Sequence, residues 1–272
     1  MDKRRTGQHY RETTLRALSW LGYASTRQLA KMLHGRCTES TRKMTGRTLR
    51  WLHERGYIVT RRDENSVAGE LLAAITAAGA TKLAEVGEPL PSGKAHARDW
   101  LRHAHSHRTM CNSVFAALYH RSPDAEPWSE LEVRANMAPL CSFEFRLNGQ
   151  QQSALSDFAV HIKVPDLVVQ TGNDIEWVEV ENSWRSDKDL KKMVDCMRAM
   201  FSRPGGEIAR VQFVIAAPGA KTIGRRLRSA FTVPPEYILP TGQREVDKRI
   251  LAQHVVISML DHESLELTPV AF

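Results

Sequence analysis

Residues 163–190 read KVPDLVVQTGNDIEWVEVENSWRSDKDL, and this stretch limits the fold more than any other. Asp166 opens an apolar run, Leu167-Val168-Val169. Thr171-Gly172-Asn173-Asp174 is a turn, and a second apolar run over 175–180 carries Glu179 and leads into Glu181. Side chains on a strand alternate between faces, so Glu179 and Glu181 point the same way. Two adjacent strands then bring Asp166, Glu179 and Glu181 to one end of a hairpin. Three close carboxylates repel one another, and a divalent cation relieves that repulsion. The stretch predicts a metal-ion site, and the rest of the chain is expected to bring a polyanion to it.

The chain has 272 residues, enough for one large domain or two ordinary ones, and its 42% hydrophobic content supplies a core. Cys37, Cys111, Cys141 and Cys196 are far apart and form no CxxC pair. They read as reduced thiols of a cytoplasmic protein, not as a zinc module or a disulfide framework. The first residues, MDKRRTGQHYRETT, lack the apolar core of a signal peptide. No run approaches the ~20 apolar residues of a membrane span.

Charge is distributed unevenly. Residues 1–62 hold 15 Lys/Arg against 4 acids, a balance of +11, while the remainder balances at −4. Twelve of those 15 are Arg, the better fork for phosphate and guanine. This is the signature of a polyanion-binding head on a body with another task.

Within that head, three short helices are predicted over 9–21, from the Ser25-Thr26 cap to Gly35, and from Thr38 or Ser40 to about Arg55. A strand at 57–60, a polar turn over 61–66, a strand over 71–75 and a helix to about Glu85 follow. Three helices and a two-stranded wing describe a winged helix-turn-helix. Its third helix would enter the major groove of double-stranded DNA, with Thr38, Ser40, Thr41, Arg42 and Lys43 on or near its leading face. Arg47, Arg50, Arg61 and Arg62 would hold phosphates. The alternative is a helical scaffold for protein partners.

Residues 87–97 read as a linker, separating a first domain at 1–86 from a second at 98–272. No Gly or Pro interrupts 97–119, which predicts one long helix: a stalk, a dimer seam, or the opening of the second domain. His103 and His107 lie four apart on it, a spacing that holds metals, but no third ligand is evident. A polar helix face near DNA or a partner is the preferred account.

Residues 123–127 read as a turn. Residues 143–147 alternate and end at Asn148-Gly149, a two-residue hairpin signal. Further strands are predicted over 158–162, 210–216 and 254–259, with helices over 187–201 and 219–230. This alternation implies an α+β or α/β domain on a mixed sheet.

Pro165-Asp166, then Glu179-Val180-Glu181, then a helix and a strand, resembles the core of the PD-(D/E)xK nuclease superfamily. A winged helix ahead of such a core resembles the replication-relaxation family, associated with plasmid mobilisation. The resemblance implies Asp166 and Glu179 as Mg²⁺ ligands, with Glu132 as a further acidic ligand. Glu181 stands where the superfamily usually has Lys; it would act as ligand or general base, with Lys163, Lys188 or Arg185 restoring the positive charge in space. Two functions stay open. One is a DNA-binding protein of a mobile element that hydrolyses phosphodiesters with Mg²⁺. The other is a non-catalytic accessory or regulatory factor whose degenerate nuclease-like domain dimerises or docks a relaxase.

Overall fold

The computed structural model describes residues 3–63, 70–88, 97–102, 104–146, 160–181, 186–201, 206–215, 220–231 and 242–270. The first part runs α1 (Lys3–Leu21), β1 (Tyr23–Ser25), α2 (Thr26–His34), α3 (Glu39–Glu54), β2 (Ile58–Arg62), β3 (Leu71–Ile75) and α4 (Ala77–Ala84). Local chemistry sets these boundaries. The Ser25 hydroxyl accepts from Gln28 N–H, and the Gln28 side chain accepts from Ser25 N–H, a capping box worth about 1 kcal/mol. Thr38 and Thr41 form the same box at the start of α3. Gly35 closes α2 at φ 69°, a left-handed conformation that disfavours other residues.

The small sheet has the order β1-β3-β2, all antiparallel. β1 was not expected: its three residues are all buried, so it shows no alternation to read. Arg61 and Arg62, expected in a turn, instead extend β2 and pair with Leu72 and Leu71. The tip of that hairpin, 64–69, lies outside the described residues, as does most of the expected linker. At the start of the linker, Glu88 is tied to Arg16 at 2.5 Å.

The expected long helix is two helices, α5 (Ala97–Arg102) and α6 (Ser106–Leu118). His105 between them is extended, at φ −125° and ψ 158°, and its Nδ1 accepts from Arg108 N–H at 3.2 Å. The break lets each helix bury a different face. Trp100 and Leu101 of α5 pack with Tyr23, Leu72 and Ala74 on the small sheet. Cys111, Val114, Phe115 and Leu118 of α6 pack on the large one.

The second part continues with β4 (Ala125–Trp128), α7 (Glu130–Arg134), β5 (Phe143–Arg146), β6 (Val160–Lys163), β7 (Leu167–Thr171) and β8 (Asp174–Glu181). It ends with α8 (Asp187–Met200), β9 (Ile208–Ile215), α9 (Ala220–Phe231), α10 (Gln243–His254), β10 (Val255–Leu260) and β11 (Leu267–Pro269). The chain is therefore mixed α and β. Its six-stranded sheet has the order β11-β10-β9-β8-β7-β4. β8-β9 and β9-β10 are parallel, and the outer pairs are antiparallel. Residues 125–127, expected in a turn, belong to edge strand β4, where Pro127 is tolerated. β5 pairs with β6 by aligning Arg146 with Val160, so the whole of 147–159 joins them. The hairpin turn expected at Asn148-Gly149 lies outside the described residues, as does the rest of 147–159.

The two faces of the large sheet bury different partners. Trp177, Phe213, Ile215 and Ile257 face α8, α9 and α10 with Met193 and Met197. Val178, Val180 and Val214 face α6 and share one core with Leu18, Leu29 and Leu52 of the first part. Polar bonds reinforce that junction. Asn112 donates to Tyr23 O at 2.7 Å, Gln28 donates to Thr109 O at 2.8 Å, and Lys31 pairs with Glu266. α2 is the helix of the head packed against α6, which leaves α3 facing outward.

Candidate functional site

Asp166 directly precedes β7, and its N–H donates to Val178 O across the hairpin at 3.2 Å. One carboxylate oxygen, Oδ2, accepts from Val180 N–H at 2.8 Å. The other, Oδ1, lies 3.0 Å from His107 Nε2 on α6. Burial pushes the Asp166 pKa up, but the His107 contact, the Val180 N–H and the Lys163 charge outweigh it, and the net direction is down. The group is held as a carboxylate by the protein itself.

Glu179 is almost fully buried on the same face of β8 as Trp177. Trp177 Nε1 donates to Glu179 Oε1 at 2.7 Å, and Lys163 Nζ donates to Oε2 at 3.0 Å. Lys163 ends β6, so that short strand delivers a lysine to the carboxylate end of the hairpin. Glu181, two residues on, is also buried. The expected clustering at one hairpin end is thus present in the backbone, but the side chains diverge. Asp166 turns to α6, and Glu179 turns to Lys163 and Trp177.

Glu132 serves a different purpose. It is the third residue of α7, and its Oε2 accepts from Ser129 N–H at 2.9 Å, completing a capping box. Burial raises its pKa. The nearby acid that does face α6 is Glu130, gripped by Arg108 at 3.1 Å and Arg134 at 2.8 Å.

Cys111, one turn after His107 on α6, completes a local group that the sequence did not reveal as one. Its Sγ lies 3.6 Å from His107 Nε2. Among the described residues, His107, Cys111 and Asp166 are the one group of three or more such side chains able to share a cation. The signal was available as a His and a Cys at i, i+4, but the partner that completes it opens a strand 55 residues further on.

A second candidate surface lies on α3. Ser40, Arg42, Lys43, Arg47 and Arg50 are exposed along it, and Thr38 is exposed at its cap. Glu39, Ser40, Lys43, Met44 and Arg47 line a shallow groove. Thr41 is placed otherwise: it is buried, and its hydroxyl is spent on the cap. Arg62 is exposed on β2, and Arg61 beside it is half-buried. Trp51 is sandwiched between the guanidinium groups of Arg11 and Arg55, at 3.8 and 3.7 Å. No helix among the described residues is long and apolar enough to cross a membrane. Comparison with family models, with curated proteins and with solved structures returned no match to this chain.

Proposed function

We propose that the chain is a duplex-DNA-binding protein of the replication-relaxation type, in which α3 is the recognition helix of a winged helix-turn-helix. One observation carries the reading: the order α1-β1-α2-α3-β2-β3 presents an outward α3 bearing Arg42, Lys43, Arg47 and Arg50. α2 is occupied by the body of the protein, and α3 is left for a partner. Phosphate contacts release counterions, so binding should weaken steeply with salt. The test is duplex affinity measured across a salt series. A flat response would sink the reading.

The second half supports a PD-(D/E)xK-like core through its order of elements: the β7-β8 hairpin, α8, then β9 parallel to β8. Lys163 stands beside Glu179, which supports it, among Lys163, Lys188 and Arg185, as the replacement for the lysine charge that Glu181 lacks. A Mg²⁺ shell, however, takes oxygen ligands in near-octahedral geometry. Asp166 Oδ2 and both oxygens of Glu179 accept from protein donors, and Asp166 Oδ1 faces a nitrogen and a sulfur, not further oxygens. Glu132 is engaged at its cap. As arranged, these carboxylates do not fit Mg²⁺, and no hydrolytic step is derived through it. The favoured function is therefore non-catalytic recognition of duplex DNA, with the second half as a platform for a relaxase or a second copy. Mg²⁺-dependent nicking is the rival reading. Supercoiled plasmid incubated with Mg²⁺ or Mn²⁺ decides between them: nicking by the wild type that Asp166→Ala abolishes would establish the rival.

A further inference from the structure

We infer that His107, Cys111 and Asp166 form a binding site for a divalent transition metal of the zinc class. The site does not depend on DNA binding, and its donors differ from the all-oxygen set expected for Mg²⁺. One nitrogen, one sulfur and one oxygen donor converge within 4.8 Å of one another. Thiolate and imidazole ligands select zinc-like ions over magnesium.

The geometry is close to what such an ion needs. With ordinary Zn–S and Zn–N bonds at a tetrahedral angle, the two ligand atoms sit about 3.6 Å apart. His107 Nε2 and Cys111 Sγ are 3.6 Å apart. The same reasoning puts nitrogen and oxygen ligands about 3.4 Å apart, and His107 Nε2 and Asp166 Oδ1 are at 3.0 Å. Both distances from His107 are thus within a few tenths of an ångström of what an ion needs, and Cys111 Sγ and the Asp166 carboxylate lie within 4.8 Å of each other. Nε2 can either donate one proton or accept one. It faces Cys111 and Asp166 together, and a metal satisfies all three at once.

The surroundings reinforce the site. Val180 N–H holds Asp166 Oδ2, which fixes the direction of Oδ1, as outer-shell partners of metal ligands do. Cys111 is fully buried, while the His107 side chain keeps 35% of its surface exposed. Three protein ligands, one of them partly exposed, leave a fourth position for water. The ion would also join α6 to the start of β7, where the two halves of the chain share their core.

The test is titration of the full chain, freed of metal with a chelator, with Co²⁺ as the spectroscopic stand-in for Zn²⁺. One equivalent should bind with tetrahedral visible bands and a near-ultraviolet thiolate-to-cobalt band, and Zn²⁺ should displace it. Cys111→Ala should abolish the thiolate band, and His107→Gln should weaken binding by at least about tenfold. Cys141→Ala should leave the spectrum unchanged. Absence of stoichiometric Co²⁺ binding by the wild type, or survival of the thiolate band in Cys111→Ala, overturns the site. Circular dichroism checks that each variant folds. Should Cys111→Ala fail to fold, the partly exposed His107→Gln decides, and an unaltered Co²⁺ affinity and spectrum there rejects the site. Asp166 is left intact throughout, so the outcome is separate from the nicking assay.

Discussion

α3 and the β7-β8 hairpin are both densely charged, and they treat that charge in opposite ways. On α3, Arg42, Lys43, Arg47 and Arg50 project into solvent, where hydration keeps them charged at little cost. At the hairpin, Asp166, Glu179 and Glu181 are drawn toward the core, where each bare ion costs several kcal/mol. The hairpin is therefore built with its own counter-charge, Lys163, and its own donors, Trp177 Nε1 and Val180 N–H, with the His107 imidazole set against Asp166. A surface that keeps its cations in water is suited to an external polyanion. A buried site that neutralises its anions is suited first to holding its own shape. The contrast predicts that mutations at the hairpin change stability and those on α3 change binding.

The largest effect is expected where a buried acid is deprived of its cation. Lys163→Met leaves Glu179 with the Trp177 indole as a donor but without the ammonium, and should destabilise the chain by about 3 kcal/mol. Urea unfolding measures it. A loss below about 0.5 kcal/mol, the level of an ordinary surface substitution, would end the distinction drawn between the two regions.

Next comes Arg108→Met, at about 2 kcal/mol, because it strips one of two arginines from buried Glu130. This variant also has a pH signature. Burial raises the Glu130 pKa, but the hydrogen bonds and charges of Arg108 and Arg134 outweigh that and hold it below its ordinary 4.5. For an acid with a depressed folded-state pKa, the added stability is present above the unfolded value and is lost as pH falls through the folded one. The gap between wild type and variant should therefore be widest near neutrality and narrow as the pH drops below about 4.5. A gap that widens in acid would show that Arg108 stabilises by some other route.

The same contrast decides what was legible in the sequence. In the head the helix ends were readable because they are local: Gly22, Gly35 and Gly56 follow the ends of α1, α2 and α3, and Ser25 and Thr38 open α2 and α3, whereas α1 starts at Lys3 and not at His9. β7, β8 and α8 were readable for the same reason, from the turn at Gly172 and the cap at Ser186. β1, β4 and β11 were not, because three or four residues are too few to show a period. α10 carries little amphipathic signal and follows no side-chain cap. The break between α5 and α6 is a tertiary effect: Trp100 covers Gly22 while Cys111 faces the other sheet, and neither demand is written locally. At the site, alternation gave the shared face of Glu179 and Glu181, and the resemblance raised Lys163, beside Lys188 and Arg185, as a substitute cation. Alternation could not show that Asp166 turns to His107, or that Glu132 belongs to its own helix cap.

On α3 the expected sign reverses: stability is steady and binding changes. Arg47→Ala with Arg50→Ala should alter unfolding by no more than about 0.5 kcal/mol. The pair should reduce the salt dependence of duplex binding by roughly one unit of slope for each phosphate that the variant no longer neutralises. Equal slopes for wild type and variant would mean that other residues hold the DNA.

The smallest effect is the sharpest probe of what solvent does to a charge pair. Lys43 and Glu39 are one helical turn apart at 2.6 Å, yet their side chains are 71% and 74% exposed. Such a pair contributes only a few tenths of a kcal/mol. Glu39→Gln should therefore leave the unfolding midpoint nearly unchanged. It removes an acid from the groove that Ser40, Lys43, Met44 and Arg47 also line. Duplex affinity should rise modestly at low salt, and the gain should fade as salt screens the surface. If affinity falls instead, Glu39 touches the DNA directly, for instance by accepting from a cytosine amino group, and α3 reads bases as well as phosphates.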